Sequence, residues 1–255
     1  MSKENTSWPD SLQVSEGDTA DGIAAMLAKD VAEDLQKAVA ARGSASLLVS
    51  GGSTPLPFFK ALMGLALDWG RITVGLVDER WVPASHDDSN ERFVREQLLT
   101  GAASAATFSG MYLSDESAEH SAELASTAMS NMLKAHDGAF DVVILGMGGD
   151  AHTASLFPVI PGTTDEHHEQ AIVAALSTDA NSDASPCVVI RPVTAPHARI
   201  SLTLSAILES RSRYLHITGN QKRDVLLSAL EHKELTQVPI AAVMRRAEPR
   251  IYWSP

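Results

Sequence analysis

An aspartate and a histidine two residues apart, Asp150 and His152, sit in the glycine-rich turn Gly146-Met147-Gly148-Gly149-Asp150-Ala151-His152. Histidine is the side chain best suited to taking and returning a proton near neutral pH. A carboxylate beside it can fix its tautomer and so leave one ring nitrogen as a base. The turn directly follows Phe140-Asp141-Val142-Val143-Ile144-Leu145, an apolar run that reads as a buried strand. A strand running into a glycine turn is where open α/β sheets place ligands. The bland explanation is a tight turn with an incidental polar pair, since glycine turns are common in such folds.

A second turn suggests an anion. The strand pattern Leu47-Leu48-Val49 runs into Ser50-Gly51-Gly52-Ser53-Thr54-Pro55, followed by an apolar helical pattern with Phe58, Phe59, Leu62 and Met63. Glycines let backbone N–H groups turn inward, Ser53 and Thr54 add hydroxyl donors, and Pro55 suits the first turn of a helix. The result is an anion cradle at a helix N-terminus. It is neither a Walker loop nor a dinucleotide fingerprint. A third apolar run, Ile72 to Val77, ends in Asp78-Glu79-Arg80, and Ser89-Asn90-Glu91-Arg92 follows shortly after. Parallel strands in an open sheet would bring all three polar ends to one edge.

Around these turns, strand and helix patterns alternate. Residues 1–16 form a polar lead-in. A helix is predicted over 18–41, with Ile23, Leu27, Val31 and Leu35 at helical spacing and Gly43 to end it. There follow strand 46–50, helix 55–65, strand 72–78, helices 90–99 and 116–135, strand 141–146 and a short helix 151–156. The polar segment 162–185 reads as loop around a strand at 171–175. Strands at 187–191, 199–204 and 213–218, helices 220–231 and 239–246, and a strand at 250–253 complete the chain. This alternation predicts one α/β domain over 1–255, with an open, parallel-rich sheet sandwiched by helices in a Rossmann-like, three-layer arrangement.

Bulk composition narrows the partners. The chain has 255 residues, 44% of them hydrophobic, and a formal charge of −12. That charge argues against nucleic acid or an anionic membrane as partner. An anionic substrate would need a local basic pocket. The lone Cys187 allows no internal disulfide and suits a reducing compartment. The N-terminus lacks an apolar signal core and no run reaches membrane-spanning length. A cytoplasmic protein is expected, and no cysteine pattern suggests zinc.

Other histidines have plainer explanations. His167 and His168, in Asp165-Glu166-His167-His168-Glu169, read as part of a solvated loop and not as a metal site. His86 reads as a surface residue, and His216, inside Tyr214-Leu215-His216-Ile217, as a satisfied, partly buried strand residue. Lys222 opens a helix, the wrong end for a cation unless it meets an anion. Arg199 begins a strand whose middle is apolar.

These motifs together resemble the 6-phosphogluconolactonases, within the larger group that includes the glucosamine-6-phosphate deaminases. Ser50 to Pro55, Asp78-Glu79-Arg80 with Ser89-Asn90, and Gly146 to Pro158 carry the resemblance. Arg199-Ile200-Ser201-Leu202-Thr203 and Gly219-Asn220-Gln221-Lys222 extend it in family order over about residues 45–245. The deaminases have an acidic residue before the proline, where this chain has Phe157. The chain departs from the family at Ala151, where a glycine is usual, so that an easy positive φ is lost and the turn is expected to differ slightly.

The resemblance implies a substrate, 6-phospho-D-glucono-1,5-lactone, and a hydrolysis. His152 would be the general base and Asp150 its orienting partner. Ser50, Gly51, Gly52, Ser53 and Thr54 would hold the phosphate, with Arg199 and Lys222 as its cations. Asp78 would bind sugar hydroxyls, and Arg80 phosphate or the developing oxyanion. Backbone near Gly148 and Gly149 is the expected oxyanion donor. No metal or organic cofactor is required, since a base and oxyanion donors suffice for an ester. The only partner implied is the small sugar phosphate, with the protein a monomer or weak homo-oligomer. A deaminase or isomerase, and a non-catalytic sugar-phosphate sensor, remain as alternatives.

Overall fold

The structure, a computed structural model, describes residues 7–178 and 185–255. Its strands are β1 (Val14–Glu16), β2 (Ala45–Val49), β3 (Ile72–Leu76), β4 (Asp78–Arg80), β5 (Thr107–Ser109), β6 (Phe140–Leu145), β7 (Cys187–Ile190), β8 (Arg199–Leu202), β9 (Ser210–Thr218) and β10 (Arg250–Ser254). Seven of them form one sheet in the order β1-β10-β9-β6-β2-β3-β5. Every pairing in it is parallel. Residues of β2 and β6 are buried throughout. That is why both read as continuous apolar runs: helices cover the two faces of a parallel sheet.

The helices are α1 (Ala20–Arg42), α2 (Leu56–Met63), α3 (Asn90–Gln97), α4 (Ala118–Ala135), α5 (Glu166–Leu176), α6 (Leu204–Leu208), α7 (Asn220–Glu231) and α8 (Pro239–Ala247). Helix α1 shows why these segments are helical. Thr19 caps it by accepting from the Gly22 N–H, Gly43 closes it at φ +81°, and Ile23, Leu27, Val31 and Leu35 form its buried stripe. No helix among the described residues is long and apolar enough to cross a membrane.

The expected α/β class and parallel-rich sheet are present, with local differences. Strands β7 and β8 do not join the main sheet. Strand β8 pairs antiparallel with both β7 and the short strand β4, forming a second sheet in the order β4-β8-β7. Part of the expected lead-in is ordered: β1 pairs with β10, and Trp8 packs edge-on against Trp253 with centroids 5.7 Å apart. Residues 1–6 of the lead-in and 179–184 of the expected loop lie outside the described residues.

No helix forms at 151–156, where turns and an isolated bridge between Thr153 and Leu156 run instead. Conversely, the expected loop and strand around 171–175 are helix α5. Asp165 caps it by accepting from the His168 N–H at 2.8 Å, and His168, Ile172, Ala175 and Leu176 are its buried face.

Candidate active site

Strands β2, β6 and β9 are neighbours, so the turns after their C-terminal ends converge. Ser50 to Pro55 follows β2, Gly146 to Phe157 follows β6, and Gly219 to Lys222 follows β9. Between them lies a cleft of two lobes that share Asp78, Arg80, His152 and Ala154.

Asp150 and His152 face each other where the lobes meet, with His152 Nδ1 2.5 Å from Asp150 Oδ1. Asp150 Oδ1 also accepts from the backbone N–H of His152. An imidazole that donates from Nδ1 keeps its lone pair on Nε2. Burial alone would raise the Asp150 pKa. The His152 hydrogen bond, the attraction to His152 and backbone donors outweigh it and hold Asp150 below the usual carboxylate value. The ring of His152 stacks on Phe157, centroids 4.4 Å apart and planes 27° from parallel.

The turn admits little else. A Cβ on Gly148 would come within 2.2 Å of the His152 ring and 2.6 Å of Asp150 Oδ1. Two details differ from expectation. Ala151 adopts φ +68° in spite of its side chain, so the turn keeps the left-handed conformation that a glycine would take easily. The Gly148 N–H donates to the His152 carbonyl at 2.9 Å. It is therefore engaged within the turn, which leaves Gly149 of the two proposed oxyanion donors.

The cradle lies in the other lobe. Gly52 turns at φ +93°, and a Cβ on Gly51 would meet Asn90 Oδ1 at 1.9 Å. Glycine at 51 thus allows the close approach of Asn90. Ser50 lines the lobe, but its hydroxyl is not free for a ligand in the way expected. It donates to the Ile144 carbonyl at 3.0 Å and accepts from the Gly146 N–H at 3.1 Å, tying the end of β2 to the end of β6. Gly51, Gly52, Ser53 and Thr54 line the same lobe with Lys222, whose pKa burial lowers.

His216 lines it too, and sequence reasoning missed it. The ring is 3% exposed, and neither of its nitrogens has a hydrogen-bond partner among the described residues. It is buried but not satisfied.

Asp78 and Arg80 border both lobes. Asp78 Oδ2 accepts from Ser155 Oγ at 2.6 Å, and its carbonyl accepts from Asn90 Nδ2 at 2.9 Å. Arg80 Nη1 donates to the Asp88 carbonyl at 2.6 Å, while its Nε is buried without a partner among the described residues. Between them Glu79 points the opposite way and is fully buried. Its Oε1 accepts from the N–H groups of Arg80 and Asn90, and its Oε2 from the Glu91 N–H and Ser89 Oγ. Burial pushes its pKa up to about 7 against those backbone donors. The carboxylate of Glu79 thereby fixes β4 to the start of α3. Its signal in the sequence is the acidic residue shortly before a Ser-Asn helix start.

Arg199 is placed differently from expectation. It lines the lobe with Asp150, Phe157 and Arg80, and does not reach the cradle lobe that holds Lys222. The reason is topological: it opens β8 of the small sheet, directly opposite Arg80 in the register. It is 6% exposed, with Nε unpartnered among the described residues and its guanidinium 5.8 Å from the centre of the Phe157 ring. Burial, and next the like charge of Arg80, lower its pKa.

The remaining groups lie outside the cleft lining. His168 is not solvated: it is 2% exposed, with ring nitrogens near the Arg191 and Phe157 carbonyls at 3.0 and 3.3 Å. His167 is exposed. His86, Asp88 and His197 bring potential metal-ligand atoms within 4.8 Å of one another at the surface, where His197 Nε2 and Asp88 Oδ2 pair at 3.0 Å. Cys187 is buried, which pushes its thiol up to about 12.

Residues 18–253 match the family model described as glucosamine-6-phosphate isomerases/6-phosphogluconolactonase. The chain belongs to this family. Among curated relatives, a 6-phosphogluconolactonase of Pseudomonas putida is 38% identical over 97% of this chain and 95% of its own. One of Rhizobium meliloti is 40% identical over 91% of this chain and 94% of its own. A crystal structure of a 6-phosphogluconolactonase from Shewanella baltica superposes with a TM-score of 0.84 at 42% identity, covering 96% of this chain and 98% of that one. A monomeric glucosamine-6-phosphate deaminase, at 17% identity and a TM-score of 0.71, shares the fold alone.

Proposed function

We propose that the chain hydrolyses 6-phospho-D-glucono-1,5-lactone to 6-phosphogluconate, a step of the oxidative pentose phosphate pathway, with His152 as the general base. The observation that carries this reading is the 2.5 Å contact of His152 Nδ1 with Asp150 at the junction of the two lobes. With Nδ1 committed to Asp150, Nε2 takes a proton from a water. The water oxygen adds to C1 of the lactone and the carbonyl becomes an oxyanion. Collapse breaks the bond from C1 to the ring oxygen, which leaves with the proton that His152 had taken.

The two lobes divide the substrate. The phosphate sits with Gly51, Gly52, Ser53, Thr54 and Lys222. The reacting carbonyl lies toward Arg80, Arg199 and the Gly149 N–H, which supply positive charge where the oxyanion develops. Asp78, held by Ser155, accepts from sugar hydroxyls. No step needs a metal or an organic cofactor. The protein works in the cytoplasm, a reducing compartment that suits its lone, buried cysteine.

His152→Ala should lower kcat by about 10²–10⁴-fold and leave KM nearly unchanged. Asp150→Asn should also slow the reaction by leaving the imidazole in the wrong tautomer. Hydrolysis is followed at slightly acidic pH, where the uncatalysed background is low. A His152→Ala variant with near-full kcat would end this assignment. Ammonia release from glucosamine 6-phosphate is the control for a deaminase, which the relatives do not favour.

A further inference from the structure

His216 is an anomaly in a well-packed protein. Its imidazole is 3% exposed, both ring nitrogens lack a partner among the described residues, and Phe58 packs edge-on against it at 6.5 Å. A buried polar group without a partner destabilises a fold, because it has given up its bonds to water for nothing. Leucine or phenylalanine would fill the same space without that cost.

The position of His216 suggests what offsets it. Strand β6 ends at Leu145, level with Leu215 of β9. His216 is therefore the first residue of β9 beyond the end of β6, at the sheet edge where α/β proteins bind ligands. It lines the cradle lobe with Ser53 and Lys222.

We infer that His216 is a ligand of the substrate's phosphate, donating a hydrogen bond from the floor of the cradle and so separating phosphorylated from unphosphorylated lactone. This rests on the assignment of the phosphate to the cradle. Burial, and next the Lys222 ammonium from α7, push the ring's pKa down to about 4, so it is neutral at neutral pH. Asp78, Arg80 and His152 line the same lobe. A neutral imidazole has one N–H to give. It can therefore bind an anion beside Lys222 without the repulsion that a second cation would bring to the unliganded site.

The experiment compares kcat/KM for 6-phosphogluconolactone and for unphosphorylated gluconolactone. The proteins are the parent, His216→Phe, His216→Gln and Lys222→Ala. His216→Phe should lower the ratio of the two by about tenfold or more, the size of a lost hydrogen bond to a charged group. Its activity on gluconolactone should stay within about twofold. His216→Gln, which keeps an N–H donor, should recover part of the ratio. In the parent protein, the ring nitrogen resonances of His216 should shift on saturation with inorganic phosphate.

A ratio unchanged in His216→Phe while Lys222→Ala collapses it overturns the inference and spares the cradle. Equal losses on both lactones would mark His216 as structural and also overturn it. If Lys222→Ala leaves the ratio intact, the cradle assignment falls and His216 falls with it. Should His216→Phe not fold, the resonance measurement on the parent decides: no shift at saturating phosphate overturns the proposal.

Discussion

The phenyl ring of Phe157 lies against the imidazole of His152, with centroids 4.4 Å apart and planes 27° from parallel. Asp150 fixes the same ring from its edge at Nδ1. Two contacts thus set both the rotation and the tilt of the proposed base, and the buried Arg199 lies over the phenyl group, 5.8 Å from its centre.

That stacking should be visible in turnover. Phe157→Leu keeps an apolar group but loses the flat face. Ring pairs contribute roughly 0.5–1.5 kcal/mol beyond area burial. If this holds His152 in place, kcat should fall by about 3–10-fold with KM little changed. Steady-state kinetics on the phosphorylated lactone is the measurement, and an unchanged kcat would show that Asp150 alone positions the base.

Arg199 and Lys222 should fail differently. Arg199→Met keeps an apolar stem on Phe157 and removes the charge. Since Arg199 lines the lobe away from the cradle, kcat/KM should fall about 10–100-fold on phosphorylated and unphosphorylated lactone alike. A selective loss on the phosphorylated substrate would return Arg199 to the phosphate.

Glu79 should make stability depend on pH. Its folded pKa, about 7, lies above the ordinary value of 4.5. The folded state therefore holds the proton more tightly than the unfolded chain. The contribution of this group is fully present below about pH 4.5 and is lost as pH rises through about 7, by roughly 3 kcal/mol in all. Denaturant unfolding between about pH 5 and 8 should show this slope in the parent protein. It should be flatter in Glu79→Gln. Parallel curves for the two proteins would mean that Glu79 does not titrate in this range.

Ala151 is an opportunity for stabilisation. It holds φ +68° with a side chain, a conformation that costs a non-glycine residue roughly 1–2 kcal/mol. Glycine would relieve that and lose about 0.4–1 kcal/mol to the freer unfolded chain. Ala151→Gly should raise the unfolding free energy by about 0.5–1 kcal/mol. A drop in denaturant midpoint would show that packing of the buried methyl outweighs the strain.

The legible parts of this protein were those whose periodicity is set by burial on one or two faces. Strands β2, β3 and β6 are apolar runs because helices cover both sides of them, and α1 has a clean stripe from Ile23 to Leu35. The glycine turns gave the site because positive φ and close approach leave a mark in residue type, as at Gly51, Gly52 and Gly148. Helix α5 was hidden because its polar first turn reads as loop and its apolar run from Ala171 as strand. The cap at Asp165 with the spacing of His168, Ile172 and Leu176 was the available signal. Strand β4 is only Asp78–Arg80, and two of its three residues are charged at the cleft, so nothing in its pattern marks a separate sheet. His216 looked like any strand histidine. Which nitrogen meets which partner is a property of neighbours distant in sequence.

Strand β10 lies inside the main sheet, between β1 and β9, yet it is made of Arg250–Ser254. A ribosome that has released everything up to Glu248 has produced β1 with no strand to pair with and β9 with one side bare. The sheet can close only when Arg250–Ser254 slide between Val14–Glu16 and the strand that bears His216. Assembly of this half must therefore wait until Arg250–Ser254 have been made. Pairings that span almost the whole chain are among the slowest to form. The cradle wall built on β9 is thus among the last parts of the molecule to become rigid.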